Sequence, residues 1–354
     1  MLLNRSLKVS DMLELQGEHG RTTTQAVDVA DNLAAAIALM TAHNVGSVVV
    51  LDQGKVTGML SERDVLRKVG GQGVDPQSAT VGEVGSMGHA ASRCATPIYT
   101  ARQCLSLMAE NRYRHMPVVS TKSSDGGEYL GMVSILDLVL QGMQTGVGVA
   151  DGIAPSAPAA GGSKERLLQC ATVSDALSFR RKMKRIGYVN VGSAASVADT
   201  AAAMAEGQCG CALVIDDDQM LAGVFTDRDF LDGFASDRAK AAATAVGDTM
   251  HTDREVALVT PETSMERAFL AMRAMLAAGN RRLHFPVVRA KDDHEEGGSA
   301  LRAAFDDMDL NGDGVVTSAE LQQGGNTIRW QNDDVFGVVL VDDLLKYLYE
   351  RQTQ

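Results

Sequence analysis

The sequence predicts an α/β fold of the α+β kind, assembled from four copies of one β-α-β-β-α unit. Three observations carry that expectation. The chain resembles itself at a fixed offset, strand-length apolar runs alternate with helical stripes, and one spaced motif recurs four times. "VSD" occurs at 9–11 and at 173–175, "SERDVL" (61–66) answers "TDRDFL" (226–231), and "TVGEV" (80–84) answers "AVGDT" (245–249). These offsets are 164, 165 and 165 residues, so the two halves read as copies.

Each half divides again. Gly-x-x-Ser/Thr-x-x-Asp appears as Gly58, Ser61, Asp64, as Gly131, Ser134, Asp137, and as Gly223, Thr226, Asp229. A fourth copy keeps Gly337 and Asp343 but has Leu340 in place of the hydroxyl. The elements follow in order. Leu33, Ile37 and Met40 fall on one helix face, and Met108, Met204 and Met272 take the matching place in the other copies. An apolar strand comes next: "SVVVL" (47–51), "HMPVV" (115–119), "CALVI" (211–215) and "HFPVV" (284–288). A turn such as "DQGKV" (52–56), with its Gly, leads into the strand that carries the motif glycine. The motif Asp then opens a second helix. A unit of about 60 residues buries little on its own, so the units should pair. Aromatic content of only 4 % means that Ala, Val and Met must fill much of the core.

This order of motifs resembles the CBS domain, named after cystathionine β-synthase, over nearly the whole chain apart from a linker and an acidic insert. The resemblance implies that two units form a Bateman module whose cleft binds an adenosine-containing ligand. Four units would make two modules. The expected boundaries are 6–72, 78–143, 165–240 and 245–354, with a flexible Gly/Ala/Pro-rich linker at 144–163 and an insert at 292–334. Such a linker has a coil dimension of roughly 25 Å, which lets the modules meet within one chain.

An adenine nucleotide presents a ribose diol and an anionic tail. A carboxylate at the start of a helix can accept from both hydroxyls, which makes Asp64, Asp137 and Asp229 candidates, with Asp343 in the fourth copy. Ser61, Ser134 and Thr226, three residues earlier, can cap those helices and sit beside an anion. The same S/T-x-x-D pattern is also a plain helix start, and both readings stand. Phosphates need cations. Arg63 and Arg228 lie inside the motifs, Arg112, Arg114 and His115 precede or open one cleft strand, and Arg281, Arg282 and His284 do so in the other half. The expected ligand is a phosphorylated adenosine (AMP, ADP, ATP or NAD) rather than S-adenosylmethionine.

The insert carries a second chemistry. "DLNGDGVVTSAE" (309–320) places Asp309, Asn311, Asp313, Val315, Thr317 and Glu320 at positions 1, 3, 5, 7, 9 and 12, with Gly314 at 6. That spacing resembles an EF-hand loop, which implies calcium held by side-chain oxygens and the Val315 carbonyl. Residues 289–334 hold eleven Asp/Glu against four Lys/Arg. Comparing offsets between "HMPVV"/"HFPVV" (169) and Gly131/Gly337 (206) puts 37 extra residues in the hairpin of the fourth unit. Hairpin tips tolerate such additions. A lone hand with Asn311 predicts micromolar or weaker affinity, on the order of a sensor site or less.

A net charge of −12 argues against sequence-independent nucleic-acid binding. The longest apolar runs are strand-sized, far below the roughly 18 residues of a membrane span. "MLLNRSLK" has no secretory core, so the expected compartment is the cytoplasm or an organelle. Cys94, Cys104, Cys170, Cys209 and Cys211 follow no disulfide framework and are expected as reduced thiols. Neither a G-x-S-x-G elbow nor a P-loop lysine occurs, and repeats, linker and insert use nearly every residue. The expectation is a non-catalytic regulator that acts on a partner protein, or a scaffold or calcium-binding protein with empty, purely structural clefts. A homodimer through the modules or the lone hand is one expected assembly.

Overall fold

The computed structural model describes residues 7–18, 25–88, 94–111, 113–121, 127–135, 137–138, 171–182, 187–252, 257–277, 284–288, 315–316, 335–340, 343–344 and 347. These residues form four sheets. The first has β1 (Ala26–Asp28), β2 (Ser47–Asp52), β3 (Lys55–Ser61) and β4 (Ser86–Met87) in spatial order. The second pairs β5 (His115–Val119) with β6 (Tyr129–Ser134). The third is β7 (Val189–Gly192), β8 (Cys211–Ile215) and β9 (Leu221–Thr226). The fourth runs β12 (Val315–Val316), β10 (Leu258–Val259), β11 (His284–Val288) and β13 (Val335–Leu340).

The helices are α1 (Val9–Glu18), α2 (Leu33–Ala42), α3 (Glu62–Val65), α4 (Val81–Val84), α5 (Ala101–Asn111), α6 (Val173–Lys182), α7 (Val197–Glu206), α8 (Asp227–Gly233), α9 (Arg238–Ala243) and α10 (Met265–Ala277). A π-helical stretch, Leu66–Gly71, continues α3.

One pattern repeats in all four sheets. A strand parallel to the first hairpin strand comes before a crossover helix, as β1/β2, β7/β8 and β10/β11 and as the isolated bridge Ala95–Val118. The hairpin then pairs Ser47 with Ser61, His115 with Ser134, Cys211 with Thr226 and His284 with Leu340. Each hairpin carries a bulge at the same place, at Val50/Leu51, Val118/Val119, Val214/Ile215 and Val287/Val288. In the first hairpin Gln53 and Gly54 both take positive φ, 50° and 77°, as a tight two-residue turn requires. Leu33, Ile37 and Met40 are buried on α2, and Met108, Met204 and Met272 are fully buried in their helices.

The motif glycines make room for elements from elsewhere in the chain. A Cβ on Gly58 would lie 2.6 Å from the Ser86 carbonyl, and one on Gly223 would collide with that of His251. On Gly131 and Gly337 it would meet Leu13 and Leu177, at 2.9 and 3.1 Å. Helix α1 therefore packs on β6 of the second sheet, and α6 on β13 of the fourth. The expected unit boundaries group α1 with the first sheet and β4 with the second. The chain instead exchanges the two, because the small residues that admit each lie in the other sheet.

Two kinds of core result. Sheet faces join neighbours in sequence: Val49 and Val56 meet Val119 and Met132, and Leu213 and Val224 meet Val335 and Val338. Helix faces join across the halves. Leu33, Ile37, Met40 and Leu66 share a core with Val197, Ala201, Met204 and Phe230. Met12, Met108 and Met116 share another with Leu177, Phe269, Met272 and Phe285. Cys94, Cys104, Cys209 and Cys211 are buried thiols outside any disulfide, and Cys170 lies outside the described residues. Among the described residues no helix is long and apolar enough to cross a membrane.

Candidate functional site

The site begins where β3 ends. Ser61 has extended φ/ψ of −122° and 161°, and its hydroxyl accepts from the Asp64 N–H while the Asp64 carboxylate accepts from the Ser61 N–H. This reciprocal box starts the helix. Thr226 and Asp229 build the same box, as do Ser134 and Asp137, with Ser134 N–H donating to Oδ2 at 2.7 Å. In the fourth copy only half survives: the Leu340 N–H donates to Asp343 Oδ2 at 3.1 Å, and Leu340 has no oxygen to return the bond.

The other partners of each aspartate separate the copies. Asp64 Oδ1 accepts from Ser86 Oγ at 3.0 Å and from Arg67 Nη2 at 3.3 Å. Asp229 Oδ1 meets His251 Nε2 at 2.9 Å. Asp343 Oδ2 accepts from Arg180 Nη1 at 2.7 Å, and the same nitrogen donates to the Val338 carbonyl at 2.7 Å. Asp343 and Arg180 are about one-tenth exposed, so α6 delivers a cation onto Asp343.

A cavity of about 250 Å³ opens between the first and second sheets. Ser61, Arg63, Asp64, Arg114 and His115, all expected from the sequence, line it. Its wall also includes Arg67, Ser86, Cys94, Asn111 and Tyr113. Polar side chains share the lining with Val56, Met59 and Pro117, the mixture that a flat ring with an anionic tail requires.

The remaining expected residues lie elsewhere. Ser134 and Asp137 cap the helix start after β6 and do not line this cavity. Thr226 and Asp229 are buried, at 1 % and 6 % exposure. Arg228 does not line the cavity either. Its guanidinium donates to the Val45 carbonyl at 3.2 Å and faces Glu62 Oε2 at 3.3 Å, bridging the third sheet's helix to the first unit. His284 is buried on β11, while Arg112, Arg281 and Arg282 lie outside the described residues. So do Asp309, Asn311, Asp313, Thr317 and Glu320. Val315 is described: it is buried in β12, which pairs antiparallel with β10.

Two carboxylates were missed by the sequence reading. Glu62 and Asp227 occupy equivalent places, directly after the motif hydroxyl, in "SERD" and "TDRD". Arg114 Nη2 reaches Glu62 Oε1 at 3.4 Å and Asp227 Oδ2 at 3.2 Å. Burial pushes the Glu62 carboxyl up to about 7; Asp227 adds to the rise, and Arg228, Arg114 and Arg63 oppose it. An acidic residue at the same offset in both halves was the available signal.

The fold and cleft define a class: tandem β-α-β-β-α units paired through their sheets around a polar cleft. The CBS domain family model matches residues 22–71, 93–141 and 180–236. The chain is 33 % identical over 123 residues to the CBS domain-containing protein YhcV of Bacillus subtilis, covering 34 % of this chain and 81 % of that protein. It is 33 % identical over 137 residues to the mitochondrial CBS domain-containing protein CBSX3 of Arabidopsis thaliana. That match covers 38 % of this chain and 64 % of the Arabidopsis protein, less than two thirds of its length. Among solved structures, protein MJ1225 of Methanocaldococcus jannaschii, presented as a candidate archaeal homologue of g-AMPK, superposes with a TM-score of 0.58. The superposition covers 96 % of this chain and 99 % of that one at 12 % identity, a likeness of fold. The chain belongs to the CBS-domain family.

Proposed function

We propose that this protein is a non-catalytic regulator whose first pair of units binds an adenosine nucleotide and passes its occupancy to a partner protein. The observation that carries the reading is the 250 Å³ cavity, where the Asp64 carboxylate, the Ser61 hydroxyl and the Arg63, Arg67 and Arg114 guanidiniums converge. Asp64 would accept from the ribose, and the arginines with His115 would hold the phosphates. The volume of about 250 Å³ falls just below the roughly 300–1,000 Å³ typical of small-molecule sites, which favours a mononucleotide over NAD.

On this reading the fourth sheet is a fourth CBS unit, and the second pair is structural. Asp64 lines the cavity, whereas Asp229 on His251 and Asp343 on Arg180 do not line it, which supports that division. The loop at 309–320 would bind calcium. Pairing of its Val315–Val316 strand with β10 supports a link between that loop and the fourth sheet.

Calorimetry and thermal shift with AMP, ADP, ATP and NAD, each with and without calcium, test the proposal. A mononucleotide should bind and raise the melting temperature, and Asp64→Ala should weaken it at least about tenfold. No binding by any of them at millimolar concentration would leave the clefts structural. An affinity unchanged by calcium would remove the link between the sites, since coupling is reciprocal.

A further inference from the structure

Ser61, Arg63 and Asp64 line the cavity, but Glu62 between them does not. Its side chain lies where three units meet, and the residue is 7 % exposed. Among the described residues the charged groups facing it come from three elements. Arg63 comes from its own helix α3, Arg114 from the residues ahead of β5, and Asp227 and Arg228 from α8. Asp232, one turn along α8, lies 3.9 Å from Arg228. A Cβ on Gly46 would stand 3.2 Å from Arg228 Nη2 and 3.3 Å from Glu62 Oε2, so the backbone closes the pocket tightly.

Arg114 belongs to both sites. It lines the cavity, and it bridges Glu62 to Asp227 across two units. We propose that an anionic ligand in the cavity draws on Arg114 and Arg63, that Glu62 then takes up a proton, and that binding and proton uptake are thereby linked through this buried cluster. The inference rests on the reading of the cavity as a nucleotide site and names how that site is regulated.

The sign follows from the charges. Arg114 and Arg63 hold the Glu62 proton off, while burial and Asp227 hold it on. A phosphate that neutralises Arg114 and Arg63 leaves only Arg228 to oppose burial and Asp227, so the liganded state binds more protons. With the empty protein titrating at about 7, Glu62 is largely ionised at about pH 8 and gains a proton on binding. At about pH 6 it is already protonated, and binding takes up none through it. Affinity must therefore fall as pH rises, by at most about tenfold per pH unit for one proton.

The test is calorimetry of AMP binding to the full chain at about pH 6, 7 and 8, in buffers of different ionisation enthalpy. Adenosine serves as the uncharged probe. Wild type should take up a growing fraction of a proton with AMP as pH rises, and none with adenosine. Glu62→Gln should bind AMP with that uptake gone and the affinity flatter with pH. Asp227→Asn is a second, independent variant: it removes the carboxylate that raises Glu62, so uptake should set in at lower pH. AMP binding with the same uptake in wild type and both variants, or with none in wild type, overturns the inference and leaves the site reading intact. No binding of AMP, ADP or ATP to wild type overturns both.

Discussion

At the scale of single residues, one carboxylate position has been put to different use in different copies. Asp64 faces a cavity with a hydroxyl and a guanidinium beside it, whereas Asp343 is closed off by Arg180 at 2.7 Å. Both members of that pair are about 90 % buried, so removing one leaves a charge without its counterion. Arg180→Ala should cost about 3 kcal/mol, and the double variant with Asp343→Ala should regain a good part of it. Urea unfolding measures this, and a loss below about 1 kcal/mol would show the pair to be energetically idle. The boxes themselves were legible in the sequence, because a hydroxyl and a carboxylate three residues apart interact locally. Arg228 was not. Its partners, Val45 and Glu62, lie more than 160 residues away and are reached only because the first and third units stack.

At the scale of elements, the repeated glycine marks where a neighbouring segment presses against each hairpin. Gly58→Ala would set a methyl 2.6 Å from the Ser86 carbonyl and 2.7 Å from Met87 Sδ. Backbone cannot yield as a flexible side-chain end can, so β4 should move away. The expected loss is about 2 kcal/mol of stability, with weaker AMP binding because Ser86 leaves Asp64. Unchanged melting and unchanged affinity would refute the packing account. Strands, crossover helices and hairpin were readable from periodicity and apolar runs. The exchange of α1 and β4 between the first two sheets was not, because sequence order says nothing about which surface a short helix covers. That Val315–Val316 would form a strand against β10 was not readable, because only the fold brings those two segments side by side.

At the scale of the whole molecule, small residues bring the two halves together. Glycines in the π-helical stretch lie against α7, and Cβ atoms there would fall 2.9 Å from Ala201 Cβ at Gly70 and 2.5 Å from Ala205 Cβ at Gly71. Gly71→Leu should force the halves apart while each sheet pair keeps its own core. Solution scattering would then show a larger radius of gyration. An unchanged radius would mean that the stack absorbs the bulk. The duplication that foretells this arrangement is plain in the sequence; which copy stacks on which is decided by complementary small and large side chains on two distant helices.

The two-residue strand β12 has a further effect. It occupies the open side of β10, the outermost strand of the fourth sheet apart from β12 itself. An uncovered strand there would offer unpaired amides and carbonyls to any passing chain, a template for self-association. Val288 and Val335 already face each other across the hairpin, so a short turn could replace 292–334, removing β12 and keeping the β11/β13 pairing. Such a shortened protein should fold and yet aggregate on storage, as light scattering would report. A full-length chain altered only at Asp309 and Glu320 should stay monodisperse. The same scattering from both would mean that β12 shields nothing.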